Sequence, residues 1–466
     1  MSIRQVFKNI SYSFTANLVS LAVSVCMVMF VPKYLSVDDY GIWQLFLFYY
    51  SYLGFLALGW EDGIYLRYAG HDFAALPRRL MASQFYGDIM LQIGIAASAL
   101  LVAPIFISDS SMLLAVTGAL CLSPFAHLHG LSNLVMQSTN RIKDYAGLML
   151  AERLVLMLSV LTVLALGLAD FRSMYTAKIC SIIAAACLSA WLCRSLLYPS
   201  FPSLKDFLAE TRENICVGSK LMLANVASML MLGAVRYGIS MGWDAAVFGR
   251  VSLTLGISNF LMVFISSVSV VFFPIVKRLG DERRTEIYSQ IRFALSFILL
   301  GLLICYYPLK CLLVWWLPQY ADSLVYMSVL FPVCLFESKV DLLTNTYLKS
   351  LRREALLLRL NLLMVALAVL VTVGTVTILH DLDAAVWSIP VLFACRCIFA
   401  EMAVAHLLGL SLYREMLADL VMATGFMLTG WYIDSWLTVA VYGFMYIIYA
   451  IMHRKQLCDI YNLRRQ

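Results

Sequence analysis

Charge is what this sequence is short of. Only 13% of its 466 residues are Asp, Glu, Lys or Arg, while 62% are apolar; a soluble globular chain carries about 25% charged residues. A chain so composed cannot cover itself with a water-facing surface. A soluble enzyme is therefore excluded, and so is a nucleic-acid binder in spite of the net charge of +6. The patterns of common catalytic sites are missing too. There is no GxxxxGK[ST] loop to cradle a nucleotide phosphate, no GxSxG elbow and no HExxH pair, so the chain is expected to be neither an ATPase nor a hydrolase and to need no cofactor. The 12 cysteines include no CxxC. Most, such as Cys26, Cys121, Cys180 and Cys334, lie in apolar runs where a thiol is a small hydrophobe. Cys395 and Cys397 fall on different faces of a helix, so neither a metal site nor a disulfide framework is expected. A signal-peptide cleavage site is also missing after Arg4 and Lys8: the apolar run from Phe14 continues to Pro32 and reads as an uncleaved first helix.

What is present is apolar sequence in lengths that fit a bilayer. About fourteen runs approach the roughly 20 residues a crossing needs: 14–31, 42–60, 83–106, 112–135, 145–168, 175–198, 216–239, 250–273, 291–314, 323–346, 356–378, 385–408, 413–432 and 434–452. None alternates polar with apolar as a barrel strand would, so helices are predicted, since hydrocarbon leaves the backbone no other way to pair its amides. Lys and Arg in the intervening segments alternate in density. If the N-terminus is inside, inner segments hold 20 of them, including Arg67, Arg78, Arg79, Lys277, Arg278 and Arg454. Outer loops hold only Lys33 and Arg172, along with Asp38, Asp39, Asp109, Asp170, Asp244, Asp381, Asp383 and Asp434. Positive charge stays on the cytoplasmic side, so both termini are expected in the cytoplasm.

A shift of 208 residues superimposes Pro124 on Pro332, Tyr40-Gly41 on Phe248-Gly249, and Arg141 on Lys349. Spans one to six then fall on spans seven to twelve without a gap, which predicts an internal repeat. Because six is even, both halves enter from the same side and are parallel repeats. The predicted fold is an all-α polytopic membrane protein with two pseudo-symmetric six-helix lobes, 1–198 and 216–408. A cytoplasmic amphipathic linker, 199–215, joins them, and 409–466 adds helices thirteen and fourteen with a basic tail. Two parallel halves around a midplane cavity form an alternating-access architecture.

Ionisable residues inside spans are costly and face a cavity or a partner. Lys178, Lys220, Arg194, Arg292 and Arg414 sit where they can snorkel. Arg236, Lys339 and Arg396 are the candidates for a cationic cavity, in which Arg would match phosphate oxygens bidentately. Glu61 and Asp62 end the second span with Arg67 close behind, a group that reads as an ion-coupling site or as a salt bridge at the inner face. Glu337 and Asp341 share a helix face four residues apart. They could take up a proton or a sodium ion, or pair with Lys339 or Arg396. His127 and His129, two apart, do not share a face. Asp88 and Glu401 remain unassigned.

Two stretches carry a family resemblance. YLSVDDYGIW (34–43) resembles a signature that follows the first helix in bacterial polysaccharide-transport flippases, and WLPQYADS (316–323) is similar to their second-half motif. RIKDY (141–145) resembles their basic loop between helices four and five. The resemblance runs along the whole chain through short motifs. It implies the fold of the multidrug/oligosaccharidyl-lipid/polysaccharide exporter superfamily and residence in the bacterial inner membrane. The implied substrate is a polyprenyl-pyrophosphate-linked O-antigen, capsule or exopolysaccharide repeat unit. The implied partners are membrane lipid and the pathway's polymerase and chain-length regulator, with coupling to protons or sodium. From the residues themselves, Gly41 permits a turn or a close approach, while Tyr40, Trp43, Trp315, Trp316 and Tyr320 suit rings at headgroup level. Three alternatives stand beside this reading. A lipid-linked peptidoglycan precursor flippase would have the same fold, with arginines in helices one and two, where only Arg67 is a candidate. A multidrug antiporter would carry acids in helix one or seven, where there are none. A membrane-embedded glycosyltransferase or polymerase would need a long outer loop, and none is present.

Overall fold

The apolar runs are helical because a backbone amide in hydrocarbon finds a partner only in its own chain. The computed structural model describes residues 3–197, 202–259, 262, 281–351, 353–454 and 456, and among these no strand occurs. The first half forms α1 (Ile3–Tyr34), α2 (Val37–Ser51), a 3-10 turn at Leu53–Ala57, α3 (Trp60–Arg67), α4 (Arg78–Phe106), α5 (Ser110–Ser138), α6 (Ile142–Ala165) and α7 (Phe171–Leu192). The second half forms α8 (Leu204–Gly242), α9 (Ala245–Ser258), α10 (Asp281–Leu302), α11 (Tyr306–Trp316), α12 (Tyr326–Leu330), α13 (Val333–Ser338), α14 (Asn345–Ser350), α15 (Glu354–Thr372) and α16 (Leu382–Leu408). The chain closes with α17 (Tyr413–Tyr432) and α18 (Trp436–Met452).

Among the described residues, eight helical stretches are long and apolar enough to cross a membrane, or eleven if three bent pairs each count as one span. The other three expected spans are α9, α17 and α18. Of the expected span 250–273, only residues up to 259 and residue 262 are described, and the rest lies outside the described residues. α17 carries Arg414, Glu415 and Asp419, and α18 is a shorter apolar helix of 17 residues. The bends have local causes. α2 passes through the 3-10 turn into α3 at 60° where Leu58 and Gly59 both have positive φ. The span containing Pro332 bends by 41°, then continues as a π-helical turn over Lys339–Thr344.

The repeat appears in the helix boundaries. α1 ends at Tyr34 and α8 at Gly242; α2 begins at Val37 and α9 at Ala245, each pair 208 residues apart. The repeat is not copied at the prolines. Pro124 sits inside the unbroken α5, whereas Pro332 separates α12 from α13. Four of the eight acids expected in outer loops cap the helix that follows them. Asp109 accepts from the Met112 amide (2.6 Å), Asp170 from Ser173 (3.0 Å), Asp244 from Val247 (2.8 Å) and Asp381 from Asp383 (2.9 Å). A carboxylate there satisfies an orphan amide and complements the positive end of the helix.

The chain divides into two compact units, residues 1–226 with 243–249, and 227–242 with 250–466. The linker expected at 199–215 is thus partly helical: α8 begins at Leu204, and its residues up to 226 belong with the first unit. Small residues make that association possible. A Cβ on Gly63 would fall 1.9 Å from the Asn214 carbonyl oxygen, and one on Gly218 1.9 Å from that of Gly59. With Gly59 and Gly63 four apart, α3 offers α8 a bare face, the arrangement by which membrane helices approach closely. Gly41 makes the close approach its position predicted, since its Cβ would lie 2.0 Å from the Ala245 carbonyl oxygen. Its neighbours correct the expectation of interfacial anchors: Tyr40, Trp43 and Tyr320 are buried in the core, and among the five rings proposed for the headgroup level Trp315 is the strongly exposed one. The tight packing around Gly41 draws Tyr40 and Trp43 inward.

Candidate functional site

Among the described residues each unit buries a cluster of ionisable side chains that joins several helices, and the two are built differently. In the first unit α4 presents Gln84, Asp88 and Gln92 at four-residue spacing. All three side chains are buried (0%, 1% and 0% exposed), so they form one polar stripe on an otherwise apolar helix. Opposite the stripe, α3 supplies Glu61 and α5 supplies His127. His127 Nδ1 lies 2.5 Å from Glu61 Oε1 and 3.9 Å from Asp88 Oδ2, while its Nε2 lies 3.1 Å from the Leu53 carbonyl oxygen in the 3-10 turn. One donor atom from each of Glu61, Asp88 and His127 falls within 4.8 Å of the other two. Neither carboxyl oxygen of Asp88 has a hydrogen-bond partner, and the Nε2 donors of Gln84 and Gln92 are equally unspent. Gln92 accepts from Ser123 at 2.8 Å.

The stripe continues toward the end of α3. Gln84 Oε1 accepts from Trp60 Nε1 (2.7 Å) and Asn214 Nδ2 (3.1 Å). Asn214 Oδ1 accepts from Arg67 (2.5 Å), whose guanidinium also bridges Glu210 (2.5 Å) and the exposed Glu213 (3.0 Å). Arg67 therefore pairs with α8 and not with Glu61 or Asp62, the partners its sequence position pointed to. α8 approaches closely enough to claim it, and Glu61 turns to His127 instead. Asp62 is half-buried on α3.

A second polar group in this unit joins α5, α6 and α7. Glu152 accepts from Lys178 (2.7 Å) and lies 3.6 Å from His129, which is 3.1 Å from Ser189 Oγ. Lys178 also sits 4.4 Å over the Tyr50 ring. The two histidines thus serve different partners. Lys178, expected to snorkel, is instead buried and ion-paired; Arg194, exposed over Trp191, behaves as expected.

In the second unit Arg292 of α10 lies between Glu401 of α16 (2.9 Å) and Asp419 of α17 (2.8 Å). Lys339, in the π-helical turn, donates to Asp419 and lies 3.8 Å from Glu401. All four side chains are at most 3% exposed. Arg292 was expected to snorkel, yet here its guanidinium reaches two acids on neighbouring helices at once. Lys339, a candidate cavity cation, has its ammonium committed to Asp419. Arg396 of α16 holds Glu337 of α13 through two contacts, 3.0 and 3.2 Å, and Asp341 accepts from Asn345 at 3.1 Å. Of the pairings open to Glu337, the structure forms the one with Arg396. Arg236, half-buried on α8, donates to Ser252 Oγ at 3.0 Å.

Sequence reasoning left Asp88 and Glu401 unassigned and did not single out Asp419. The stripe of Gln84, Asp88 and Gln92 at four-residue spacing inside an apolar span was the available signal for Asp88. Asp419 carried no such mark.

No family model and no curated protein matches the sequence. The fold does match solved structures. The lipid II flippase MurJ, in an inward closed conformation, superposes with a TM-score of 0.65 at 9% identity, over 98% of this chain and 100% of that one. An inward-facing multidrug resistance MATE family transporter of the MOP superfamily superposes with a TM-score of 0.63 at 11% identity, over 84% of this chain and 98% of that one. A MATE transporter in complex with MaD3S gives 0.55 at 12% identity, over 86% and 95%. At such identities the likeness is one of fold. The chain has the all-helical polytopic architecture of these transporters.

Proposed function

We propose that this protein is a flippase that moves a polyprenyl-pyrophosphate-linked oligosaccharide repeat unit, of the O-antigen, capsule or exopolysaccharide type, from the inner to the outer leaflet of the bacterial cytoplasmic membrane. The observation that carries the reading is the extent of the structural match. A flippase for a lipid-linked precursor superposes over 98% of the chain, against 84% for the multidrug transporter. The motifs at 34–43, 141–145 and 316–323 support the polysaccharide branch. By alternating access the headgroup occupies a cavity while the lipid tail stays in the bilayer, and both termini face the cytoplasm. The diphosphate contacts we assign are Arg236 and Arg396, because guanidinium matches phosphate oxygens bidentately. On this reading Arg396 exchanges Glu337 for phosphate when substrate enters. A polymerase and chain-length regulator would act on the product at the outer face.

The same structural match favours a second reading, a flippase for a lipid-linked peptidoglycan precursor. Mass spectrometry of lipid-linked oligosaccharides separates the two, comparing a strain deleted for this gene with the same strain complemented. Accumulation of one polyprenyl-pyrophosphate repeat unit with loss of surface glycan supports the first reading and identifies the sugar. Accumulation of the peptidoglycan precursor supports the second. If neither accumulates and surface glycan is intact, both readings fail and cation antiport becomes the reading to test.

A further inference from the structure

The buried cluster of the first unit has one more acid than it can balance. His127 Nε2 is within hydrogen-bond distance of a carbonyl oxygen, which can only accept, so that nitrogen carries a proton. The 2.5 Å contact between His127 Nδ1 and Glu61 then holds a second proton, whether written as imidazolium with carboxylate or as imidazole with carboxylic acid. Either way that pair is neutral, and both ring nitrogens are engaged. Asp88 remains, 1% exposed, with neither oxygen in a hydrogen bond and Oδ2 3.9 Å from the same His127 Nδ1 that already serves Glu61. An ionised carboxylate buried without a hydrogen bond or a counter-charge of its own is among the most expensive arrangements a protein can hold.

From this geometry we propose that Asp88 binds one exchangeable proton, making the Glu61–Asp88–His127 cluster a proton-binding site of the transporter. With the proton on, the cluster is neutral. With it off, the surplus charge must be met by the groups around it. Those groups are Glu61 on α3 with Asp62 beside it, His127 and Ser123 on α5, and Gln84 and Gln92 on α4 itself. The two glutamines lie one helical turn to either side of Asp88, within side-chain reach, and their Nε2 donors are unspent, so they are placed to solvate the carboxylate once it is bare. Proton entry is assigned to the side of exposed Glu213, from which polar contacts run through Arg67, Glu210, Asn214 and Gln84 and stop one turn short of Asp88. In the uptake step the proton leaves a water or hydronium at that end, and an O–H bond forms on an Asp88 carboxyl oxygen. Release reverses it. A chain with no nucleotide-binding loop would draw on a proton gradient through such a group. The proposal does not depend on which lipid-linked substrate is carried.

The test uses the purified full-length protein in lipid nanodiscs, followed by infrared difference spectroscopy as pH is changed. The expected result is a protonated-carboxyl C=O band that titrates in the wild type, is lost in Asp88→Asn, and is the same in sodium and in choline chloride. In Glu61→Gln a single proton suffices to neutralise His127 and Asp88 together, so the band should weaken at neutral pH. That arm decides the matter if Asp88→Asn does not fold. Persistence of the band in Asp88→Asn overturns the proposal, as does a band in Glu61→Gln indistinguishable from wild type. Sodium abolishing the band at constant pH also overturns it, and would show that a metal cation occupies the site. Lipid-linked sugar plays no part in the readout, so failure here leaves the substrate reading standing, and the reverse holds too.

Discussion

The two buried clusters have the same ingredients in different proportions. In the second unit Arg292 and Lys339 face Glu401 and Asp419, two positive and two negative. In the first, Glu61 and Asp88 face the single imidazole of His127. A balanced buried cluster gains nothing by moving a proton, and its cost is repaid only while every member stays in place. It acts as a clasp. Its Asp419 lies on α17, so the clasp ties the C-terminal pair to α10, α16 and the π-helical turn of the same unit. An unbalanced cluster sits at neutrality only with an added proton, so it can change state. The contrast separates structural charge from working charge without appeal to sequence position.

The sharpest way to break the comparison is to unbalance the clasp. Arg292→Ala should cost about 3–5 kcal/mol by leaving two buried carboxylates to one lysine, read as a large fall in thermal unfolding temperature in detergent. Lys339→Met combined with Asp419→Leu removes one charge of each sign and should cost far less than either change alone. Equal losses in the double variant and the singles would show that these residues do not act as a balanced set. Next in size is the scaffold of the first cluster. Gly63→Leu drives a side chain into the Asn214 backbone and should cost about 1–3 kcal/mol or more, separating α3 from α8 and detaching Arg67 from Glu210.

Smaller still is Asp88→Asn. Replacing a protonated carboxyl by an amide of the same shape should change unfolding stability by less than about 1 kcal/mol, because no net charge is removed. A loss as large as that of Arg292→Ala would mean that Asp88 is ionised in the folded protein and that the two clusters are alike. The smallest effect is expected for Glu213→Ala, which leaves Arg67 its bonds to Glu210 and Asn214. The Glu213 side chain is 62% exposed, so about 1 kcal/mol or less is at stake, shrinking further as salt is added.

Much of the fold was legible from composition and repeat. The spans, the 208-residue offset and the close approach at Gly41 all follow from local chemistry, and helix boundaries repeat at the expected interval. The site was legible only in part. Glu61, Arg67, Lys339, Glu337 and Arg396 stand out in the sequence as charges needing an explanation, and the Arg396–Glu337 pair is among the pairings it allows. Their partners were otherwise misjudged wherever a nearer residue in sequence competed with a nearer residue in space. Glu61 bonds to His127, 66 residues on, and Arg67 to Glu210, 143 residues on. Arg292 and Lys178 looked like snorkelling cations because their positions near span ends allowed it. Whether an acid on another helix waits for them cannot be read from their own helix.

By itself the sequence pointed to a chain that lives in a bilayer, that is helical there, and whose helix boundaries recur after 208 residues. Hydrocarbon penalises every unpaired amide and every exposed charge in the same way wherever they occur, and a local composition rule therefore suffices. Only the tertiary structure decided which buried charges cancel and which are left over. That depends on distances of a few ångströms between helices far apart in the chain, and Coulomb interactions in a low-dielectric interior are strong enough for those distances to turn one acid into a strut and another into a proton carrier.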